Sequence, residues 1–216
     1  MYSREILILA NSRKYGGRCI AGIDINTNEW IRPINNPLIK RDDPSVFMED
    51  DLYFYYGIHF GPQLGDVVKI GFEEKCPLLH QPENELINGK KWEKICKMPY
   101  SSLKDLTKAN SCDLIWYLEK KDKKTEDIET GYIFEDMIRA NPVKESLALI
   151  HLTQSKNQTK IEEKKTTSGK LQTRLSFVYE GYKYDLVVTD ETYPLLKTNV
   201  GGIVTAFTMK LFRIVM

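Results

Sequence analysis

The sequence predicts a mainly β protein with helical insertions, a β-rich α+β chain built as two small antiparallel barrels in one compact unit. Three observations lead there. Short apolar runs punctuated by turn residues fill the first third of the chain. A stretch with helical spacing occupies the middle. Short apolar runs return at the end. The rival architecture is a single mixed sheet with helices on one face.

Glu5 to Ala10 is nearly all aliphatic and reads as a buried strand. Asn11 to Gly17 reads as a polar turn. Arg18 to Ile25 is a second strand with Cys19, Ala21 and Ile23 on one face, and Gly22 marks a bulge or a close backbone approach. After turn residues Asp24 to Asn28, Glu29 to Pro33 makes a third strand that Pro33 ends. Leu52 to Phe60, dense in aromatics, is expected as a strand or a packed loop covering a barrel. Gly65 to Phe72 is a strand, apolar at Val67, Val68, Ile70 and Phe72.

From Ser101 to Lys121 the apolar spacing fits one or two helices, with Ser102 and Ser111 as caps. Tyr132 to Arg139 adds a short element before Pro142. Leu147 to Thr153 is a strand. Residues 154–169 read as a mobile loop or a long hairpin tip. Lys170 to Val178 and Tyr182 to Thr189 flank a hairpin turn. Asp190 to Tyr193 begins a turn or short helix, and Gly202 to Met216 closes with a strand pair. Five short strands per barrel, with helices plugging an end, describe OB-type folds. The expected organisation is a first barrel over residues 1–92, a helical connector over 93–145 and a second barrel over 146–216.

Composition narrows the function classes. With 42% hydrophobic and 28% charged residues, the 216-residue chain reads as an ordinary globular protein able to build a core without staples. The formal net charge of +1 means that any nucleic-acid contact must come from a local patch. Cys19, Cys76, Cys96 and Cys112 show neither disulfide nor zinc spacing, so thiols in a reducing cytoplasm are expected, with no metal and no cofactor. No apolar run reaches membrane-spanning length, and the apolar start is too short for a signal-peptide core. A cytoplasmic protein without a membrane partner is the expectation.

His80-Gln81-Pro82-Glu83-Asn84 gathers an imidazole, two carboxamides and a carboxylate around one proline, which stiffens the loop that carries them. Carboxamides at Gln81 and Asn84 match the edge of adenine. Equally, the loop side chains could cap nearby backbone groups, or His80 and Glu83 could exchange protons as an acid–base pair. Pro77-Leu78-Leu79 before it is expected to be a buried anchor. Asn11, Ser12, Arg13, Lys14 and Arg18 surround Gly16-Gly17, where backbone and cations could hold a phosphate; a solvated hairpin tip is the plain alternative. Trp30 and Arg32 alternate onto one strand face, which suits base stacking with a phosphate contact, or else an indole in the core and a guanidinium paired with an internal acid. His151 reads as a sheet histidine and Asp190 as a cap. From Gln154 to Arg174, six cations stand against Glu162 and Glu163, so a basic arm along a phosphate backbone competes with a solvated linker.

Ile8 to Lys14, Arg18 to Asp24, Glu29 to Pro33, Gly65 to Val68, His80 to Asn84 and Tyr184 to Asp190 are similar to a bacterial dual-OB domain family. The resemblance implies two OB-like barrels, and binding of nucleic acid or nucleotide, some members acting in prokaryotic conflict systems. The leading expectation is a non-enzymatic module binding single-stranded nucleic acid, RNA or a nucleotide. Its site would comprise Asn11, Ser12, Arg13, Lys14, Arg18, Trp30, Arg32, His80, Gln81, Glu83 and Asn84. An enzyme acting on nucleotides or RNA through His80 and Glu83 is the first alternative. A protein-binding subunit of a defence or counter-defence complex, using Tyr53 to Phe60, is the second.

Overall fold

The computed structural model describes residues 1–35, 44–57, 61–99, 101–103, 106, 139–140, 144–153, 156, 158–166, 169–179, 182–188, 202–207 and 212–215. It divides into two compact units. One comprises Met1–Leu103 with Pro142–Ser146, the other Lys104–Asn141 with Leu147–Met216.

The first unit is a closed barrel. Its strands are β1 (Tyr2–Lys14), β2 (Gly17–Asp24), β3 (Trp30–Ile34), β4 (Asp66–Lys75) and β5 (Asn84–Ile87), joined in the order β1-β2-β3-β5-β4 and closed by β1 on β4. All these pairs are antiparallel except β3 with β5, which is parallel. A ring of five strands with one crossover is the Greek-key closure of an OB barrel. A further strand, β6 (Glu93–Lys97), pairs with Asp66–Lys69 of β4, beside the stretch of β4 taken by β5.

Alternation decides what fills the barrel. Ile6, Ile8, Ile20, Ile31, Val68, Ile70, Phe72 and Ile87 point inward and form the core with Phe47, Leu52 and Trp92. A bulge at Leu9, between the pairs Ile8–Gly22 and Ala10–Ala21, bends β1 so that it serves both neighbours. Opposite it, Gly22 is a close approach: a Cβ there would lie 2.0 Å from the Leu7 carbonyl oxygen.

Each barrel end has its own plug. At one end sits α1 (Glu49–Tyr56), between β3 and β4, with Leu52 fully buried. Its first turn carries Glu49, Asp50 and Asp51, favourable at a helix N-terminus, and the Met48 N–H donates to Asp51 Oδ2 at 3.0 Å. Gly57 ends it in the left-handed conformation, φ 80°. Its Tyr56 hydroxyl donates to buried Asp66 at 2.7 Å, and Lys94 pairs with the same carboxylate at 2.7 Å. At the other end Arg4 bridges Asp24 at 2.9 Å and Glu85 at 3.0 Å, while the Tyr2 hydroxyl donates to Glu85 at 2.8 Å. Burial, then the Glu85 hydrogen bond, pushes the Tyr2 phenol up to about 12.

Several expectations change here. Asn11 to Lys14 continue β1, and the turn shrinks to Tyr15-Gly16, both with positive φ (49° and 78°), because Lys14 pairs with Gly17. Strand β3 runs through Pro33: the Arg32 N–H reaches Glu83 O at 2.9 Å, which turns residue 33 toward β2, where pairing ends at Ile31 and no donor is required. Leu52 to Tyr56 lie in α1 rather than in a strand or loop, since the acidic first turn and Gly57 outweigh aromatic β propensity. Leu78 and Leu79 are 46% and 38% exposed rather than buried.

In the second unit β7 (Leu147–Leu152) pairs with β11 (Gly202–Phe207), which pairs with β12 (Phe212–Val215). A second sheet holds β8 (Lys160–Lys165), β9 (Leu171–Tyr179) and β10 (Tyr182–Val187), all antiparallel. Residues 160–165, expected in a mobile loop or a long hairpin tip, are an edge strand that forms a hairpin with β9. Its Lys and Glu side chains, five of the six residues, suit a partly solvated edge. Most of the helical stretch expected from Ser101 to Lys121, the segment Tyr132 to Ile138 and residues 189–201 lie outside the described residues; residues 101–103 are helical.

Candidate functional site

The pairing sorts the eleven candidate residues into two groups. The first lies at the β1–β2 hairpin. Cross-strand register sets Arg13 opposite Arg18 and Ser12 opposite Cys19. Asn11 and Ser12 are buried, and Asn11 Nδ2 donates to Pro62 O at 2.8 Å. Arg18 is 8% exposed, and its backbone exchanges two 2.7 Å hydrogen bonds with Phe47. Arg13 stays exposed. Lys14 Nζ lies 5.3 Å from the centroid of the Tyr15 ring, and Tyr15 is 76% exposed. The hairpin tip thus offers Arg13 and the Tyr15 ring to solvent, with half-buried Lys14 against the ring.

The second group forms where β3 meets β5. Register places Arg32 beside Asn84. Ile31 faces the core, so Trp30 and Arg32 face outward, as do Cys19, Ala21 and Ile23 on β2. That outer face is nevertheless buried, with Trp30 4% and Arg32 5% exposed, so the indole presents no open ring. Part of the cover is Ser146. Its Oγ accepts from Arg32 Nη2 at 3.0 Å and donates to Glu83 Oε2 at 2.8 Å, and its backbone N–H donates to Glu83 Oε1. The Glu83 carboxylate is therefore committed to one serine rather than aimed at His80. Next to it, burial and then the Glu83 charge raise the Glu145 carboxyl.

His80 and Gln81 sit on a tight turn closed by reciprocal 3.0 Å backbone hydrogen bonds between Leu78 and Gln81. Asn84 Nδ2 donates to Gln81 Oε1 at 3.1 Å, which braces the turn against β5. The two carboxamides read one another here. This turn connects β4 to β5, and the hairpin connects β1 to β2. These are the two loops, with the face of strands 2 and 3, through which OB barrels take oligonucleotides and sugars.

Sequence reasoning missed Ser146 and Tyr15. Ser146 lies 63 positions from Glu83, and nothing local announces the pairing. Tyr15 had a signal: an aromatic followed by glycine at the centre of a two-residue hairpin. In the second unit the expected basic arm is partly neutralised. Lys164 pairs with Glu162 and Asp185 at 3.0 Å each, and Arg174 pairs with Asp185 at 3.0 Å. Among the described residues there is no group of three or more His, Cys, Asp or Glu placed to hold a metal. Nor is any helix among them long and apolar enough to cross a membrane.

The closed five-strand ring, with a helix between its third and fourth strands, defines the first unit as an OB-type module. The model of the dual OB-containing domain matches residues 4–209, and the chain belongs to that family. No curated protein and no solved structure matches the chain significantly.

Proposed function

We propose that this chain is a non-enzymatic module that binds single-stranded nucleic acid or a nucleotide, in the prokaryotic conflict setting that the resemblance implies. Contact is made at the β1–β2 tip by exposed Arg13 and Tyr15 and half-buried Lys14, with His80 and Gln81 on the β4–β5 turn as directional partners. Arg32, Trp30, Glu83 and Asn84 are the buried frame beneath.

One observation carries this reading. Tyr15 is a bulky, 76% exposed residue held at φ 49°, in a turn position that favours asparagine or glycine. A strained, solvent-facing ring beside two cations is poor for stability and well suited to stacking on a base while Arg13 and Lys14 meet phosphates.

Fluorescence anisotropy with labelled single-stranded RNA and DNA of about ten nucleotides, a matched duplex and free nucleotides, at about 50 to 200 mM salt, tests it. The single strands should bind with a salt dependence that falls by about 1.4 in the logarithmic slope in Arg13→Ala/Lys14→Ala. A flat response to every ligand rejects the proposal.

A further inference from the structure

Met48, Tyr53 and Phe54 are 39%, 58% and 57% exposed, three large apolar side chains on one short helix and its cap. Helical spacing accounts for the arrangement. Leu52 points into the barrel, and Tyr55 and Tyr56 pack against the core. The opposite face carries Glu49 and Asp50, one turn before Tyr53 and Phe54.

This face is held stiffly. Phe54 sits edge-on to Tyr55 (centroids 5.2 Å apart), Tyr55 stacks on Trp92 at 5.8 Å, and Trp92 packs edge-on against buried Phe47 at 5.5 Å. The Trp92 backbone N–H also donates to the Tyr55 carbonyl oxygen at 2.7 Å. Rings braced this way lose little freedom on binding. The charge beside them selects the partner. Glu49 and Asp50 are exposed, and the last turn of the helix carries no basic residue. Phosphates are repelled here, whereas a cation can lie over the rings and pair with the carboxylates.

We propose that the outer face of α1 docks a basic, partly apolar segment of a partner protein. Its Lys or Arg side chains pack on Tyr53 and Phe54 and pair with Glu49 and Asp50, while an aliphatic neighbour covers Met48. This surface adjoins the hairpin at Met48, whose Sδ lies 3.1 Å from where a Cβ on Gly17 would stand, but its acidic, aromatic face does not depend on the nucleic-acid reading.

The test titrates the ¹⁵N-labelled full chain with a synthetic peptide alternating Lys and Arg with Leu, and with its counterpart carrying Glu in place of the cations. The basic peptide should shift α1 amide signals saturably, and the acidic one should not. Tyr53→Ser/Phe54→Ser and Glu49→Gln/Asp50→Asn should each weaken binding at least tenfold while the chain still melts cooperatively, at a slightly lower temperature because each change removes a contact or a favourable charge from α1. Three results would overturn the proposal: no α1 shift with the basic peptide, equal affinity in the variants, or single-stranded oligonucleotide binding that is weakened by Tyr53→Ser/Phe54→Ser and not by Arg13→Ala/Lys14→Ala. A concentration-dependent dimer in sedimentation, lost in Tyr53→Ser/Phe54→Ser, would also overturn it by assigning the face to a second copy.

Discussion

Gly22 and Tyr15 show opposite uses of backbone freedom. At Gly22 a methyl group would meet Leu7 O at 2.0 Å and Ile6 Cγ2 at 2.7 Å, and the first of these is backbone that cannot swing away. Gly22→Ala should therefore destabilise the protein by about 3 kcal/mol in urea unfolding. At Tyr15 the strain is local. Tyr15→Asn, better suited to the left-handed conformation, should leave urea stability unchanged or slightly higher while weakening oligonucleotide binding about tenfold. If the variant binds as well as the wild type, the ring has no part in recognition. Glu83→Gln turns one of two acceptors for Ser146 into a donor and should lower stability by about 2 kcal/mol. Loss of ligand affinity without loss of stability would restore Glu83 to the contact site.

Among the elements, α1 is the most instructive. An acidic first turn, an Asp51 cap and a closing glycine were all legible, yet the run Tyr53 to Tyr56 pulled the reading toward a strand. Tertiary context settled it: the space between β3 and β4 at the barrel end accepts a helix of about two turns with Leu52 inward, and helix caps reinforce that choice. Gly57→Ala places a side chain at φ 80° with nothing within 4 Å of the new Cβ, so the change is conformational. It should lower the melting temperature by the equivalent of about 1 kcal/mol. Strand β8 shows the converse case. Its Lys and Glu residues resemble a linker, but pairing with β9 supplies the order that composition does not.

For the molecule as a whole, buried carboxylates set the response to acid. Although burial alone would raise it, Asp66 is held below its ordinary value by hydrogen bonds from Lys94, Tyr56 and the Gln63 N–H; Asp24 is lowered against the same opposition by Arg4 and the Asn26 N–H. A depressed folded value means that their stabilisation is present above the ordinary aspartate value of 3.8 and is lost as the pH falls through the folded values. Glu145, raised by burial and Glu83, acts the other way, its contribution disappearing as the pH rises. Urea midpoints should thus hold steady near neutrality and drop in acid, and Asp66→Asn should be less stable at pH 7 but flatter below about pH 4. An unchanged acid limb in that variant would remove Asp66 from the account.

The strands at Glu5 to Ala10, Arg18 to Asp24 and Asp66 to Phe72, and the polar loops that mark the candidate site, were determined by the order of residues, because apolar runs and turn chemistry act over a few positions, whereas which face of each apolar run turns inward was decided by closure of the barrel. The parallel junction of β3 with β5, the burial of Trp30 and Arg32, and the capture of Glu83 by Ser146 were decided only by the folded chain. These depend on segments dozens of positions apart meeting across a closed ring, and no local rule carries information about a partner that closure alone brings within hydrogen-bonding reach.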